Sequence, residues 1–370
     1  MQTVKKLYNP FVRKSDTTQK VMTDVMIALL PSVVMTWVAY GFTPVVVILV
    51  SIGSALTGEY FFNSLFSRDT RSLGDGSSIV TGILLAFTIG PFTPLPVVAA
   101  GGALAVIFGK LLWGGLGNNR FNPALVGREF MVVLFPAVMN SAGIWKNADY
   151  FHYKQLSLFH NEFWDSLFFR PVGALGEYSP LFLVLGGLYL IWRRRISWHI
   201  PLAMLVAFTV MLFLFRQNTI IFTIGGLLLG TIYMATDMPT SSSTPAGKIY
   251  FGSMIGIVAV VCLMLGATRG YFSYSILILN GFVVPINWIF RPRNWGKKAD
   301  ISKRIGWGVL LTVAIMAVTF VVLWLHHAGA LLYPVMAFAL YSLLRFALSY
   351  WDQPWGRLLK RMVKRTASVK

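Results

Sequence analysis

Long apolar stretches alternate with short polar segments along almost the whole chain. Most of these stretches have the length of about 17–25 residues that a helix needs to cross a hydrocarbon core of roughly 30 Å. Glycine and proline occur inside them, as membrane helices tolerate. The pattern predicts about twelve spans, at residues 21–40, 43–66, 77–90, 94–113, 122–139, 178–193, 198–215, 219–235, 248–268, 271–290, 306–326 and 330–348.

Two of these segments are short for a membrane crossing. The segment 77–90 opens with Asp75-Gly76-Ser77-Ser78, and the segment 122–139 opens with Asn122-Pro123, which is a helix-start signal. Both are predicted to be broken or half-length helices. Such helices persist at membrane depth when protein or a cavity covers their free backbone groups, and their N-terminal N–H groups attract anions.

Composition agrees with the span pattern. Apolar residues make up 56% of the chain and charged residues 12%, and the mean hydropathy is +0.66. No separate soluble domain is visible in the sequence. The predicted fold class is therefore an all-α integral membrane protein.

The net charge of +19 comes from basic residues that lie in short loops between the predicted spans. No basic face with interleaved aromatic residues follows from the pattern, so a nucleic-acid partner is not expected. The basic loops instead set the topology, with both termini cytoplasmic and the long loop 140–177 on the opposite side. Residues 1–20 are polar and basic, and we interpret them as a retained cytoplasmic segment.

Cysteine and histidine usage excludes several kinds of site. Cys262 is the sole cysteine, so the chain has no internal disulfide, no cysteine-rich zinc site and no iron–sulfur cluster of its own. The five histidines show no metal-ligand spacing. No metal site and no catalytic residue are predicted.

Two polar loops are candidates for binding. The loop Gly114 to Pro123 is rich in glycine and asparagine, and Asn122 precedes Pro123 as a helix N-cap. The loop Thr236 to Pro245 carries Asp237 and six hydroxyl side chains, which can bind a phosphate, a flavin edge or a cation. The alternative for each loop is a plain connection between helices. No GxGxxG follows a strand, so a dinucleotide fingerprint is excluded.

Carboxylates within or beside apolar spans are expensive, and they are candidates for an ion or proton path. Glu59, Glu177 and Asp24 are such residues. Lys110 and Arg128 are placed to pair with them or to extend toward water. The alternative is an interfacial position at which the carboxylate simply reaches water.

Four motifs in order resemble those of one family, the D subunit of the Rnf electron transport complex and its relative, the B subunit of the sodium-pumping NADH:quinone reductase. The resemblance extends from the N-terminus to Arg293, about four-fifths of the chain. The motifs are Asp75-Gly76-Ser77-Ser78-Ile79-Val80-Thr81-Gly82; Gly114-Gly115-Leu116-Gly117-Asn118-Asn119-Arg120-Phe121-Asn122-Pro123-Ala124; Gly173-Ala174-Leu175-Gly176-Glu177-Tyr178-Ser179 with Ser197-Trp198-His199-Ile200-Pro201; and Ala235-Thr236-Asp237-Met238-Pro239-Thr240.

The resemblance implies a membrane component of a flavin-containing complex in the bacterial inner membrane. Such a complex moves electrons between ferredoxin and NAD and couples this flow to Na⁺ or H⁺ transport, and this component alone would catalyse no reaction. The family fold consists of two inverted five-helix repeats. It divides the chain into a cytoplasmic segment (1–20), a first repeat (21–139), an outer loop (140–177), a second repeat (178–299) and a C-terminal extension of two helices with a basic tail (300–370).

The sequence departs from the family at the flavin. Family members attach FMN through a phosphoester to a threonine in the outer loop, but the loop 140–177 contains no threonine. Covalent FMN is therefore not expected, and no attachment residue is assigned. A non-covalent FMN or riboflavin is the remaining form, and the residues predicted to hold it are Gly117, Asn118, Asn119, Asn122 and Thr240.

The leading hypothesis is a Rnf-type D subunit that contacts the other subunits of the complex and the lipid bilayer, with an ion path along Glu59, Asp75, Glu177 and Asp237. The alternative is a stand-alone transporter or channel for a small solute or ion on the same inverted-repeat scaffold, which the missing threonine and the extra spans favour. A third option is an assembly component whose basic tail binds anionic lipid or a partner.

Overall fold

The computed structural model describes residues 16–67, 70–145, 173–215, 222–292 and 301–352. These residues form helices joined by turns, and none of them lies in a β-strand. The first half contains α1 (Thr18–Tyr40), α2 (Thr43–Phe62), α3 (Ser77–Phe87), α4 (Leu95–Gly109), α5 (Pro123–Leu134), α6 (Pro136–Met139) and α7 (Ala142–Trp145). The second half contains α8 (Pro180–Trp192), α9 (His199–Phe215), α10 (Ile224–Leu229), α11 (Pro245–Met264), α12 (Tyr271–Gly281) and α13 (Val283–Ile289), and it is followed by α14 (Ile301–His327) and α15 (Leu332–Asp352).

Helix length and hydropathy confirm the all-α membrane fold. In the described part of the chain, six helices are long and apolar enough to cross a membrane, and α12 and α13 form a seventh candidate that bends by 55°. Four apolar helices are shorter, among them α3. α10 continues as one π-helical turn, Gly230–Met234, a feature that the hydrophobic pattern does not reveal.

The two short helices predicted in the first half are observed, and local chemistry explains where they begin. Gly76 adopts a left-handed conformation with φ of +79° before α3, and the Asp75 carboxylate accepts a hydrogen bond of 2.7 Å from the Ser77 N–H. α5 begins at Pro123 after the Asn122 cap. It ends at Leu134, before Pro136, because proline cannot donate the next helical hydrogen bond.

Helices of the two halves pack in the same order. α2 packs on α4 and α4 on α5, while α9 packs on α11 and α11 on α12; α1 packs on α8 and joins the halves. The contact between α2 and α3 is close, since a Cβ on Gly82 would lie 2.7 Å from the Cα of Ile52. Small residues at such crossings are typical of membrane helix packing.

We define the proximal side as the side at which α1 begins. α3 and α5 also begin there. A Cβ on Gly76, which precedes α3, would lie 3.4 Å from the Met22 Cβ near the start of α1, and Asn122, which precedes α5, lines the same cavity as Thr17 and Thr18. α8, α10 and α12 begin on the opposite, distal side, where Glu177 bonds Thr223 and Arg128 donates to the Arg269 carbonyl. Corresponding helices of the two halves therefore run in opposite directions.

An ion-pair network fastens α1 to the end of α8. Arg195 donates to the Asp24 carboxylate at 2.5 Å and lies 3.0 Å from the Asp16 carboxylate. Arg193 lies 3.3 Å from the same Asp24. Two arginines of the basic loop therefore have specific structural partners, and Asp24 belongs to this network.

The last two helices pack on the bundle separately. α14 contacts α11, α12 and α13, whereas α15 contacts α5 and the turn at Leu111–Trp113. The predicted tail beyond α15 and residues 146–172 of the predicted outer loop lie outside the described residues.

Candidate functional site

A cavity of about 400 Å³ opens on the proximal side, and we call it the proximal vestibule. Elements of both halves line it, because the starts of α1, α3 and α5 meet the ends of α8 and the π turn there. Three of the predicted flavin residues, Gly117, Asn119 and Asn122, are among its lining residues. Asn118 and Thr240 are not; Asn118 is exposed and donates to the Gly114 carbonyl instead.

Asn122 joins the two halves beneath this vestibule. Its side-chain oxygen accepts from the Ala124 N–H at 3.0 Å, and its amide nitrogen donates to the Met234 carbonyl at 3.3 Å. Its backbone N–H donates to the Asn280 side chain at 3.1 Å, and Asn280 in turn donates to the Thr240 carbonyl at 2.8 Å. One buried network thus fixes the start of α5 against the second half. Asn280 was not predicted from the sequence, in which it is only a polar residue inside an apolar helix.

We expect Asn280→Ala to destabilise the protein by about 2–6 kcal/mol. The substitution leaves the Asn122 N–H and the Thr240 carbonyl without their partner, and each unsatisfied buried group costs about 1–3 kcal/mol. Thermal unfolding in detergent measures the loss. The matched control is Asn118→Ala at the exposed part of the loop, for which we expect a change within about 0.5 kcal/mol; equal shifts for both variants would contradict the structural role of Asn280.

Lys110 and Glu59 form a buried ion pair at the rim of the proximal vestibule. Lys110 is 1% exposed and Glu59 is 0% exposed, and the Lys110 Nζ lies 2.7 Å from the Glu59 Oε1. Nζ also donates to the Ser77 hydroxyl at 2.6 Å and lies 3.9 Å from the Asp75 carboxylate. The Ser78 hydroxyl donates to the other oxygen of Glu59. The structure therefore brings two of the predicted ion-path residues, Glu59 and Asp75, together around one lysine.

Asp237 lines the same vestibule near the end of the π turn. Its carboxylate accepts a hydrogen bond of 2.8 Å from the Thr240 hydroxyl. The surrounding protein desolvates the carboxylate and raises its pKa to about 6, an effect that the Thr240 hydrogen bond partly offsets. Thr240 therefore favours the ionised form of the Asp237 carboxyl.

A second cavity of about 300 Å³ opens on the distal side, and we call it the distal vestibule. Glu177, Thr223, Tyr271 and Arg128 line it. The Thr223 hydroxyl donates to the Glu177 Oε2 at 2.5 Å. Desolvation raises the pKa of Glu177 to about 7, while the Thr223 hydrogen bond and the charge of Arg128 oppose the increase. This carboxyl therefore changes its charge near neutral pH.

Tyr271 adds a polar group to the distal vestibule that sequence analysis missed. The tyrosine is 6% exposed, and its hydroxyl has no hydrogen-bond partner among the described residues. The position of Arg128 in the distal vestibule was not predicted from the sequence either. Arg128 pairs with Glu129 at 3.3 Å and donates to the Thr88 carbonyl at 3.3 Å.

A thin partition separates the two vestibules. Ala124 lines the proximal vestibule and the next residue, Leu125, lines the distal one. The π turn repeats this arrangement, with Tyr233 on the proximal side and Met234 on the distal side. All four side chains are buried. The start of α5 and the π turn therefore close the passage between two polar cavities.

The proximal vestibule also provides groups that suit a flavin. The Asn119 side-chain oxygen is buried and has no hydrogen-bond partner among the described residues, so it can accept from a ring N–H. Lys110, Arg195 and Thr17 line the same cavity, and its volume is within the range of about 300–1,000 Å³ for ligand pockets. The residues present therefore fit a non-covalently bound ring with polar edges.

Comparisons with known proteins agree with this architecture. The model of the NQR2, RnfD, RnfE family matches residues 6–296. The D subunit of the proton-translocating ferredoxin:NAD(+) oxidoreductase complex of Clostridium ljungdahlii is 32% identical, over 78% of this chain and 95% of that protein. The D subunit of the Na(+)-translocating ferredoxin:NAD(+) oxidoreductase complex of Acetobacterium woodii is 31% identical, over 74% of this chain and 89% of that protein.

A more distant relative shows the same correspondence. The D subunit of the ion-translocating oxidoreductase complex of Sodalis glossinidius is 27% identical, over 78% of this chain and 98% of that protein. The family match includes both vestibules and ends before α14. With more than three-quarters of its length matched, the chain belongs to the NQR2, RnfD, RnfE family.

Proposed function

We propose that this chain is the D subunit of a Rnf-type ion-translocating ferredoxin:NAD oxidoreductase and that it provides the ion path of the complex. The observation that carries the proposal is the pair of polar vestibules that approach each other from opposite sides and are separated only by the start of α5 and the π turn. Broken helices that meet between inverted halves are a common way to build an ion site near the middle of a membrane.

Two carboxyls that line the vestibules and have raised pKa values stand on opposite sides of the partition. Asp237 serves the proximal vestibule and Glu177 the distal one. Glu59 and Asp75 hold the Lys110 ammonium at the proximal rim, so this cluster holds two carboxylates and one ammonium beside the entrance to the path. An ion thus passes from the neighbourhood of Asp237 to that of Glu177 when the partition opens.

A non-covalent FMN or riboflavin in the proximal vestibule would connect this path to electron transfer. Asn119, Asn122 and Gly117 would hold its polar edge. When bound, the flavin supplies one- and two-electron chemistry, and the residues of this chain bind it and limit its contact with water.

The protein lies in the bacterial inner membrane with both termini in the cytoplasm. The proximal side is then cytoplasmic, in agreement with the basic segments that adjoin it. The electron-carrying partners bind on this side, near the Gly114–Asn122 loop.

Purification tests the proposal directly. A tagged full-length chain should co-purify with subunits that carry iron–sulfur clusters and flavin. Flavin should be released by denaturation, and the denatured band of this chain should not fluoresce. A chain that purifies alone, with no redox partner and no flavin, would support the stand-alone transporter instead.

The pH dependence of ion transport tests the role of Glu177. A cation binds the ionised carboxylate, so ion uptake by vesicles that contain the whole complex should rise as pH increases through about 7. Glu177→Gln should remove this inflection and lower uptake at pH 8 by about tenfold or more, as loss of one charged contact of about 1.5–3 kcal/mol implies. The complex should remain assembled.

Thr223→Val is the matched variant for this experiment. The Thr223 hydroxyl favours the ionised form of Glu177, because it donates to the carboxylate. Its removal should move the inflection to higher pH while the inflection itself persists. An unchanged profile in both variants would remove Glu177 from the ion path.

A further inference from the structure

The helix α15 lies beyond the part of the chain that matches the family, yet it packs against the loop that lines the proximal vestibule. Phe338 stacks on Trp113 with ring centroids 6.0 Å apart and meets Phe121 at 5.4 Å. These two aromatic residues stand at either end of the Gly114 loop. The opposite face of α15 exposes large apolar side chains, as expected of a surface in lipid, at Leu340, Leu343, Leu344 and Leu348.

A cavity of about 710 Å³ lies between α15 and the proximal ends of α2 and α4, and we call it the α15 cavity. Its walls are of two kinds. Aromatic rings contribute an apolar part, with Phe62, Phe66 and Phe346 in mutual contact at 4.8–5.3 Å between centroids. Hydroxyl groups of Ser72 and Ser349 contribute a polar part. The cavity therefore suits a molecule that is apolar at one end and polar at the other.

The charges around the α15 cavity favour an anion. Lys110 and Glu59 both line it and form an ion pair at 2.7 Å, so together they add no net charge. Arg345 also lines it, and its guanidinium stands over the Trp113 ring at 4.5 Å. No carboxylate forms an ion pair with Arg345 within the described ranges. A guanidinium held over a ring face does not use its N–H donors for that contact, and these donors match phosphate oxygens.

We propose that the α15 cavity binds one membrane phospholipid, with its phosphate on Arg345 and its apolar part against the three phenylalanines. Arg345 and Ser349 lie in the last two turns of the candidate span Leu332–Tyr350, and the ends of a span lie near the level of the phospholipid head groups. A free phosphate would leave the aromatic wall without a partner, so the combination of walls selects a lipid. The bound lipid would hold α15 against the loop that lines the proximal vestibule.

Lipid analysis of the purified full-length protein in its complex tests this proposal. Phospholipid that remains after extensive detergent washing is extracted and measured by mass spectrometry per mole of chain. We expect Arg345→Gln to lower the amount retained at this site by about tenfold, because a charge-assisted contact to phosphate is lost. Ser349→Trp keeps the charge but fills the cavity, and it should also lose the lipid.

The control is Arg291→Gln, because Arg291 also stands over a tryptophan, Trp288, at 5.9 Å to the ring centroid. This variant should retain the lipid. The proposal would be overturned if Arg345→Gln and Ser349→Trp retained as much phospholipid as the unchanged protein. It would also be overturned if Arg291→Gln lost as much phospholipid as Arg345→Gln. Titration with inorganic phosphate separates the two sources of phosphate: thermal stabilisation by phosphate ion but not by phospholipid vesicles would show a small-anion site instead.

Discussion

Lys110→Met is expected to destabilise the protein by about 3–5 kcal/mol, the cost of leaving one member of a buried ion pair without its partner. Glu59 is completely buried, and its remaining donors are the hydroxyls of Ser72 and Ser78. Two neutral hydrogen bonds do not replace the charge of the ammonium. Thermal unfolding in detergent, followed by tryptophan fluorescence or by size-exclusion chromatography after heating, measures the loss.

The double variant Glu59→Gln with Lys110→Met distinguishes charge from packing. It removes both charges and leaves an amide that can still bond the serines, so we expect most of the stability to return. The control is Lys20→Met, because Lys20 pairs with Asp16 at the surface, at 3.6 Å and with half of its side chain exposed. Such a pair contributes less than about 1 kcal/mol. If the double variant is as unstable as Lys110→Met, the loss comes from the volume of the lysine and not from the uncompensated carboxylate.

Much of this fold could be predicted from the chain because the membrane restricts the choices. Apolar length predicted the long helices, and capping signals predicted where α3 and α5 begin. The Asn122-Pro123 pair was sufficient for α5 because an N-cap followed by proline has few other uses. Candidate carboxylates were found because a charge beside an apolar span is rare.

Lys110 was predicted to pair with one of these carboxylates or to extend toward water, and the structure shows it paired with Glu59. Which carboxylate Lys110 would meet, and which group would contact Glu177, could not be predicted, since both depend on contacts between residues far apart in the chain. Glu59 and Lys110 are separated by 51 positions, and Glu177 meets Thr223 across 46. Asn280 and Tyr271 lie in a helix whose apolar composition gives no indication of a site. The break at the π turn is also set by packing and not by proline. The sequence therefore identified chemical groups and placed Glu177 on the side opposite to the termini, but only the fold shows that Glu177 and Asp237 lie on either side of one partition.

Gly225→Ala is expected to reduce ion transport about as much as Glu177→Gln, although it removes no polar group. A Cβ at this position would overlap the Glu177 carbonyl oxygen and lie 2.7 Å from the Glu177 Cα. These are backbone atoms, so the turn before α8 must move away from α10. The hydrogen bond from Thr223 to the carboxylate is then lost, and the overpacking costs about 1–3 kcal/mol.

Gly226→Ala tests the same contact at the side chain, because its Cβ would lie 2.6 Å from the Glu177 Oε1. A carboxylate can rotate where a backbone cannot, so Gly226→Ala should retain more stability than Gly225→Ala but still lower transport. The control is Gly53→Ala in α2, where no atom lies within 4 Å of the added Cβ and helix propensity favours alanine by up to about 1 kcal/mol. Normal transport in Gly225→Ala would mean that ions pass without a carboxylate held at the start of α10. Transport can also fall while the remaining transport keeps its pH inflection near 7. Glu177 is then unaffected, and the effect lies in the partition itself.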